Sequence, residues 1–315
     1  MTRRLFLIGA CCAAIALGAF AARDSVYSLY SLLLANWNSD LREGFVSYRH
    51  LVRQLNPEEL AASSKIIQAD GPYRLWRSRI GDFWMMQDDD IRVLAEMAAI
   101  IEGNTYQYRG RGVQPGDIVI DCGAHLGSFV RRSLQSGASL VVAIEPSSQK
   151  IECLRRTFGA EIAAGKVRLV QLAIWNADDE LWLAGSPTLT NTLTRTDRPP
   201  GLNGEWVDVT TLDKIVVAQR LERVDFVKMD IEGAEVKALE GSKETIRRFR
   251  PFLAIAVEHT DDLAQNARNV IRAVDGFHLG YQHGFGRYGK PRKRTAYTPW
   301  EIFFFVETAA PSAAH

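Results

Sequence analysis

Short apolar runs alternate with segments of helical spacing through the central part of the chain. The runs lie at 118–120, 140–144, 167–172, 224–229 and 252–257. Each run has the length of a buried strand, and the segments between them place apolar residues three or four positions apart, as on one face of a helix. Strands that alternate with helices predict an α/β fold with a mostly parallel sheet.

Weaker strand patterns surround this core. Residues 278–281 and 302–306 are predicted to form the last two strands, and 180–183 and 206–209 are predicted to pair with each other. The segment that joins this pair, 185–204, is rich in Thr, Asn, Gly and Pro. A loop this long is usually functional or disordered.

The chain ahead of the α/β domain is predicted to form a helical extension. The extension covers 23–101, the α/β domain covers 102–308, and a short tail follows at 309–315. Only the aromatic-rich stretch 73–86 has the composition for a strand or two.

The first 22 residues have the pattern of a membrane-targeting segment. Two arginines precede an uncharged stretch, Leu5 to Ala22, which is about the minimum length of a membrane-spanning helix. We expect a signal anchor here. The alternatives are a cleaved signal peptide, because Ala19-Phe20-Ala21 fits a small-x-small cleavage site, and a lipid-modified start at Cys11.

Composition excludes several classes of protein. The net charge of +1 provides no field for binding nucleic acid. The four cysteines form neither a disulfide framework nor a zinc-binding spacing. The triple Asp88-Asp89-Asp90 is predicted to begin a helix that runs through Ile101, where acids favour the helix dipole, and we predict no metal ion.

Five residues follow the five central strands at the ends where each strand finishes: Asp121, Glu145, Ala173, Asp230 and Glu258. Ligands of open α/β sheets bind beyond the carboxyl ends of the strands. One acid after a strand can be a helix cap, but acids after four of five successive strands predict a single ligand site at that edge.

A glycine turn links the first two central strands. It contains Gly123, Ala124, His125 and Gly127, and the second strand ends in Glu145. A strand, a glycine turn, a helix and a strand with a terminal acid form half of a nucleotide-binding unit. The turn lacks the Gly-x-Gly-x-x-Gly spacing that is typical of NAD sites.

The run Asp121-Cys-Gly-Ala-His-Leu-Gly resembles the first motif of class I methyltransferases that use S-adenosylmethionine. The resemblance implies that Asp121 contacts the ammonium group of the cofactor and that the glycine turn leaves room for its methionine part. It implies that Glu145 accepts the ribose hydroxyls and that Ala173 lies near the adenine. Trp175 could stack on the base or be a core aromatic residue.

Residues 226–241, Phe-Val-Lys-Met-Asp-Ile-Glu-Gly-Ala-Glu-Val-Lys-Ala-Leu-Glu-Gly, resemble the signature of the FkbM family of methyltransferases. Similar pieces occur at 115–124, 207–213 and 252–259, so the resemblance covers about 102–307. Family members more often have Asn at the position of His125. The resemblance implies a Rossmann-like class I sheet whose last strand inserts antiparallel, and methyl transfer to hydroxyls of sugars, lipids or secondary metabolites.

Methyl transfer to a hydroxyl benefits from a general base. Asp230, Glu258 and His259 are the predicted catalytic residues, and Asp230 comes first because it ends the strand beside the cofactor strand. Glu232 is predicted to contact the cofactor and is a further candidate for the base. Two other classes stay open: an NAD-dependent oxidoreductase and a non-catalytic, membrane-tethered nucleotide-binding protein.

The densest basic run, Arg287 to Arg294, lies between the last two predicted strands. The implied topology places this connection at the cofactor edge, where we expect an anionic acceptor or a membrane surface. An N-terminal anchor predicts a membrane-associated protein. Arg3 and Arg4 predict a cytoplasmic N-terminus and an external catalytic domain, which conflicts with a cofactor made in the cytosol.

Overall fold

The computed structural model describes residues 57–91, 93–103, 105–108, 110–184, 192–194, 204–257, 259, 263–278, 281–288 and 300–307. The predicted targeting segment at 1–22 and the tail at 309–315 lie outside these residues. Among the described residues, no helix has both the length and the apolar character needed to cross a membrane. Membrane association stays a prediction.

The part of the extension that the structure describes contains a small sheet between two helices. In chain order the elements are α1 (Pro57–Ser63), β1 (Lys65–Asp70), β2 (Tyr73–Ser78), β3 (Gly81–Met86) and α2 (Val93–Gly103). The three strands pair antiparallel in the order β1-β2-β3. Helix α2 runs across the predicted domain boundary at residues 101 and 102.

The prediction of a helical extension is therefore wrong for residues 65–70, which form β1, whereas β2 and β3 lie in the stretch 73–86 where a strand or two was expected. Strand β1 is exposed along its whole length, so its side chains show no apolar alternation that could mark a strand. A turn signal was present instead: Gly71-Pro72 connects β1 to β2, and Gly71 has a φ of 53°. A two-residue connection with a positive φ is typical of a β-hairpin.

The remaining elements follow in chain order: β4 (Ile118–Cys122), α3 (Ser128–Gln135), β5 (Leu140–Ile144), α4 (Ser148–Thr157), α5 (Gly159–Ala163), β6 (Val167–Val170), β7 (Ala173–Ile174), β8 (Asp179–Ala184), β9 (Thr192–Thr194), β10 (Gly204–Thr210), α6 (Leu212–Ala218), β11 (Phe226–Met229), α7 (Glu235–Glu240), α8 (Lys243–Phe249), β12 (Phe252–Ala256), α9 (Leu263–Asp275), β13 (Tyr281–Tyr288) and β14 (Trp300–Glu307).

Seven strands form the central sheet, in the order β13-β14-β12-β11-β4-β5-β6. The pairs among β12, β11, β4, β5 and β6 are all parallel. Strand β14 runs antiparallel to both of its neighbours, β12 and β13. This confirms the predicted class I methyltransferase sheet, with one antiparallel strand inserted beside the fifth parallel strand.

One strand of this sheet was predicted in the wrong place. The expected strand at 278–281 is β13 at Tyr281–Tyr288, and His278 has a φ of 56° in the turn that precedes it. Gly284 and Gly286 interrupt the apolar pattern of β13, so the hydrophobic periodicity does not mark this strand. The basic run thus begins inside β13 at Arg287, and residues 289–294 lie outside the described residues.

A second sheet follows the carboxyl end of β6. Its strand order is β7-β10-β8-β9, and β8 and β10 pair antiparallel as predicted. Strand β9 lies within the predicted loop, where Thr192–Thr194 pairs with β8. Residues 185–191 and 195–203 of that loop lie outside the described residues.

The small N-terminal sheet packs directly on the helices that follow β4 and β5. The Trp84 backbone N–H donates to Thr157 Oγ1 at 3.0 Å. The Arg131 guanidinium carbon lies 4.3 Å from the centre of the Phe83 ring, and Arg131 also donates to the Asp82 carbonyl oxygen at 2.8 Å. Aromatic packing and hydrogen bonds therefore join the extension to the α/β domain.

Gly127→Ala is expected to lower the free energy of unfolding by about 2–4 kcal/mol, because the new methyl group meets both backbone strain and crowding. Gly127 has a φ of 85°, and a Cβ there would lie 2.3 Å from the Phe158 ring. Gly165→Ala is the matched control, because Gly165 has a φ of 70° and no atom lies within 4 Å of a Cβ. Urea unfolding of both variants measures the difference; equal losses would show that the ring contact has no effect.

Candidate functional site

Backbone hydrogen bonds fix the conformation of the glycine turn after β4. The backbone N–H groups of Gly123 and Ala124 both donate to the Ile144 carbonyl oxygen at 3.0 Å. Gly123 has a φ of 79°, and a Cβ there would lie 2.0 Å from the Asp230 carbonyl oxygen. Glycine is therefore required at this position because the tip of β11 approaches it closely.

Glu145 ends β5 and bridges two backbone segments. Its Oε2 atom accepts from the His125 N–H at 2.9 Å, and its Oε1 atom accepts from the Ser147 N–H at 3.0 Å. Glu145 is 6% exposed, and burial raises the pKa of its carboxyl against the lowering effect of these two N–H groups. The carboxylate thus fixes the glycine turn against the start of α4.

His125 is the residue of the turn where the family more often has Asn. It has a φ of 49°, in the left-handed region where Asn is more readily accommodated than His. Burial lowers the pKa of the His125 imidazole to about 3, and the nearby cations Lys150 and Lys228 act in the same direction. His125 is therefore neutral at physiological pH.

A buried ion pair joins β4 to β11. Asp121 and Lys228 occupy the same register position on these neighbouring strands, and Lys228 Nζ lies 3.1 Å from Asp121 Oδ1. Their side chains are 0% and 5% exposed, respectively. Lys228 also donates to the Gly123 carbonyl oxygen at 2.7 Å. Lys228 thus neutralises the charge of Asp121, the acid that is predicted to contact the cofactor.

Asp230 follows β11 and is contacted from three directions. Tyr106 OH donates to Asp230 Oδ2 at 2.5 Å, and His259 Nε2 lies 3.2 Å from Asp230 Oδ1. Lys228 Nζ lies 3.9 Å from Oδ2. Burial acts to raise the pKa of Asp230, but Lys228, His259 and Tyr106 outweigh it and hold the pKa well below the usual range. Asp230 is therefore an anion at neutral pH.

His259 lies after β12 within a group of carboxylates. Its Nδ1 atom is 3.0 Å from Glu235 Oε1, and its Nε2 atom is 3.5 Å from Glu232 Oε2 as well as close to Asp230. Glu235 is completely buried, and its Oε1 atom also accepts from the Ile231 N–H at 3.0 Å. These contacts fix the orientation of the imidazole ring.

Burial and the neighbouring carboxylates set the pKa values of His259 and Glu232. Burial acts to lower the pKa of His259, but hydrogen bonds and charges from Asp230 and Glu235 outweigh it and raise the pKa to about 12. Burial raises the pKa of Glu232 to about 7, despite the opposing charge of His259. These carboxylates thus favour the protonated imidazole of His259 over the neutral base that the sequence suggests.

The other predicted site residues are placed as follows. Ala173 is buried in β7, which follows β6 in the chain. Trp175 is partly buried and packs against the apolar cluster of the second sheet. Glu258 lies outside the described residues. The cofactor contacts of Asp121, Gly123, Ala124, His125, Gly127, Glu145, Ala173 and Glu232 stay predictions.

Three residues of the site were not found from the sequence. Lys228 could have been predicted from the sequence, because a lysine inside an apolar strand requires an acid on a neighbouring strand. Glu235 stood within the quoted signature without an assigned role. Tyr106 had no signal, since it lies 124 residues from Asp230 in the chain.

The fold and the position of this site define a class I methyltransferase. The sequence profile of the family described as Methyltransferase FkbM domain matches residues 121–282, which is more than half of the chain. The chain therefore belongs to the FkbM methyltransferase family. No curated protein matches it significantly.

Solved methyltransferase structures are similar to the chain at low identity. The FkbM methyltransferase of Methylobacillus flagellatus KT is 18% identical, with a TM-score of 0.46, over 82% of this chain and 60% of its own length. TYW2 of M. jannaschii in complex with AdoMet is 13% identical, with a TM-score of 0.40, over 76% of this chain and 88% of its own. The precorrin-6y C5,15-methyltransferase of Geobacter metallireducens GS-15 is 14% identical, with a TM-score of 0.34, over 62% and 81%.

Proposed function

We propose that the protein transfers a methyl group from S-adenosylmethionine to a hydroxyl of a small-molecule, sugar or lipid acceptor. The supporting observation is the contact between the glycine turn and the Asp230 segment, which sets the proposed cofactor site beside a group of ionisable side chains. Gly123 meets the Asp230 backbone directly, and Asp230 in turn contacts His259. The proposed cofactor site and the proposed proton acceptors are therefore neighbours.

The residues at the end of β5 fit the ribose of this cofactor. Each carboxylate oxygen of Glu145 accepts one backbone N–H, and a carboxylate oxygen can accept two hydrogen bonds. Both oxygens thus retain a lone pair that a hydroxyl can use. When bound, S-adenosylmethionine supplies a methyl group already activated by its sulfonium.

The residues around Asp230 fit the alignment and deprotonation of the acceptor hydroxyl. Alignment of the acceptor with the methyl group can contribute about 7–11 kcal/mol, and a general base adds roughly 10²–10⁴-fold. Asp230 is held in place by Tyr106, His259 and Lys228, so it can orient a hydroxyl. Glu232 is the carboxyl whose pKa of about 7 suits proton uptake near neutral pH.

Glu145→Ala is expected to weaken S-adenosylmethionine binding by about 1.5–3 kcal/mol, the value of a hydrogen bond to a charged group, or about 10- to 150-fold in Kd. The control is Glu205→Ala, because Glu205 also accepts a backbone N–H, from Ser148 at 3.0 Å, at the start of the same helix. Calorimetry on folded samples of both variants makes the comparison. Unchanged affinity in Glu145→Ala would remove Glu145 from the cofactor site.

Transfer itself is tested with cofactor labelled on its methyl group. The full chain is incubated with labelled S-adenosylmethionine and with anionic and neutral fractions of lipid and glycan extracts. We expect label in an acceptor that keeps it after mild alkaline hydrolysis, as a methyl ether does and a methyl ester does not, and enrichment in the anionic fraction if the basic run binds the acceptor. Cofactor binding without label in any fraction would favour the non-catalytic binding protein.

A further inference from the structure

We propose that Asp230, Glu232 and His259 form a binding site for a divalent metal ion, referred to below as the cation site. The three side chains come from the segment after β11 and from the segment after β12, which meet at the carboxyl edge of the sheet. Each offers one ligand atom, and the three atoms lie within 4.8 Å of one another. From the sequence, a metal ion comes into question only at Asp88-Asp89-Asp90, where none is predicted.

The two distances from the His259 ligand atom to the carboxylates match those around a single ion. His259 Nε2 lies 3.2 Å from Asp230 Oδ1 and 3.5 Å from Glu232 Oε2. Two ligand atoms that bind one ion at about 2.0–2.2 Å lie about 2.8–3.6 Å apart at octahedral or tetrahedral angles. An ion can therefore be accommodated with only small side-chain movements.

Two residues outside the cation site, Glu235 and Tyr106, contact two of its ligands and fix their orientation. Glu235 is completely buried, and its Oε1 atom lies 3.0 Å from His259 Nδ1, which directs Nε2 toward Asp230 and Glu232. Tyr106 OH donates to Asp230 Oδ2, which leaves Oδ1 facing His259. A carboxylate behind a ligating histidine and a hydrogen bond behind a ligating carboxylate are the usual outer partners of a protein metal site.

The charges of this region also favour a cation. Three carboxylates, those of Asp230, Glu232 and Glu235, surround the single imidazole of His259. The Lys228 ammonium lies closer to Asp121, at 3.1 Å, than to Asp230, at 3.9 Å. A divalent ion bound by His259 Nε2 would lie among these carboxylates.

The ligand set indicates which ions fit. Carboxylate oxygens suit Mg²⁺ and Mn²⁺, and imidazole suits Zn²⁺ and other transition metals. Two carboxylates with one imidazole therefore favour Mn²⁺ or Zn²⁺. Glu232 and Asp230 remain partly exposed, at 25% and 20% of their side-chain surfaces, so an ion there could also bind an acceptor oxygen.

The role of the ion in catalysis rests on the proposed function, whereas its binding does not. A metal-bound hydroxyl loses its proton more readily than a free one. The proton passes to solvent water, the acceptor oxygen forms a bond to the methyl carbon, and the bond from that carbon to sulfur breaks. The products are the methyl ether and S-adenosylhomocysteine, so no further reactant is needed.

The test measures ion binding directly on the full chain after treatment with a chelator and without cofactor. Calorimetry with Mn²⁺ and Zn²⁺ is expected to show one ion per chain, and Glu232→Gln and His259→Gln are expected to abolish this binding. Tyr106→Phe removes only one outer hydroxyl and is expected to weaken it about 10- to 100-fold. His278→Gln is the matched control, because His278 is an exposed histidine away from the cation site.

Two outcomes would overturn the cation site: no binding of either ion by the wild-type chain, or binding that is unchanged in Glu232→Gln and His259→Gln. Methyl transfer at full rate in a chain shown to be free of metal would overturn only the role of the ion in catalysis. All three outcomes leave the proposed function intact. Conversely, a chain that binds Mn²⁺ but not S-adenosylmethionine would keep the cation site and overturn the proposed function.

Discussion

Lys228→Met is expected to lower the free energy of unfolding by about 3–5 kcal/mol, because it leaves the Asp121 carboxylate buried without its ion-pair partner. Among the described residues, neither oxygen of Asp121 has a hydrogen bond besides the Lys228 contact at 3.1 Å. The control is Lys237→Met, whose lysine pairs with Glu240 at 2.9 Å with both side chains more than 40% exposed. Urea unfolding should show a loss below about 1 kcal/mol for that variant.

The loss in Lys228→Met should also depend on pH in a defined direction. Burial raises the pKa of Asp121, and Lys228 opposes this effect, so removing the lysine raises the folded-state pKa further above the unfolded value of about 3.9. The deficit is then complete above the folded-state pKa, shrinks as the pH falls through it, and vanishes below the unfolded value. Equal losses in the two lysine variants, or a deficit that grows in acid, would contradict the buried ion pair.

Asp230→Asn is expected to reduce methyl transfer by roughly 10²–10⁴-fold while cofactor affinity stays unchanged. The substitution keeps the size of the side chain but removes the negative charge that faces His259 and Tyr106. That charge orients the acceptor under the proposed function, and it also contributes a ligand to the cation site.

The matched control for this variant is Asp178→Asn. Asp178 is an exposed carboxylate that pairs with Lys214 and accepts from Thr210 at 2.6 Å, away from the proposed site. Transfer of labelled methyl groups should be normal in the control. A rate within about threefold of wild type in Asp230→Asn, well short of a general-base contribution, would exclude Asp230 from catalysis.

The central sheet could be predicted because its strands are buried on both faces. Strands β4, β5 and β12 are almost entirely apolar. Gly123 after β4 and Glu145 after β5 mark the ends of these two strands, whereas the residue after β12 is the apolar Val257. Strands with other surroundings lack this signal. Strand β1 is exposed throughout, and β13 is interrupted by Gly284 and Gly286. Hydrophobic periodicity therefore fails at the edges and in the small N-terminal sheet.

The site could be predicted only as a set of strand ends. The sequence places Asp121, Glu145 and Asp230 at one edge, but it does not show what each carboxylate contacts. Asp121 is paired with Lys228 across the sheet, and Glu145 is bonded to the backbone. These contacts depend on strand register and on turn conformation, which the residue pattern does not determine.

The pKa of His259 likewise could not be predicted from the sequence. From the sequence it is a histidine with an ordinary pKa, suited to act as a base. In the folded protein, Glu235 and Asp230 contact its two ring nitrogens and raise its pKa to about 12. The contact with Glu232 requires that residue's φ of 58°, a conformation that a non-glycine residue rarely adopts.

Cofactor identity is the most direct test of the methyltransferase assignment. The full chain is titrated by calorimetry with S-adenosylmethionine, S-adenosylhomocysteine and NAD under the same conditions. We predict that the first two bind with one molecule per chain and that NAD produces no binding heat. Binding of NAD in place of S-adenosylmethionine, or binding of none of the three, would contradict the proposed function.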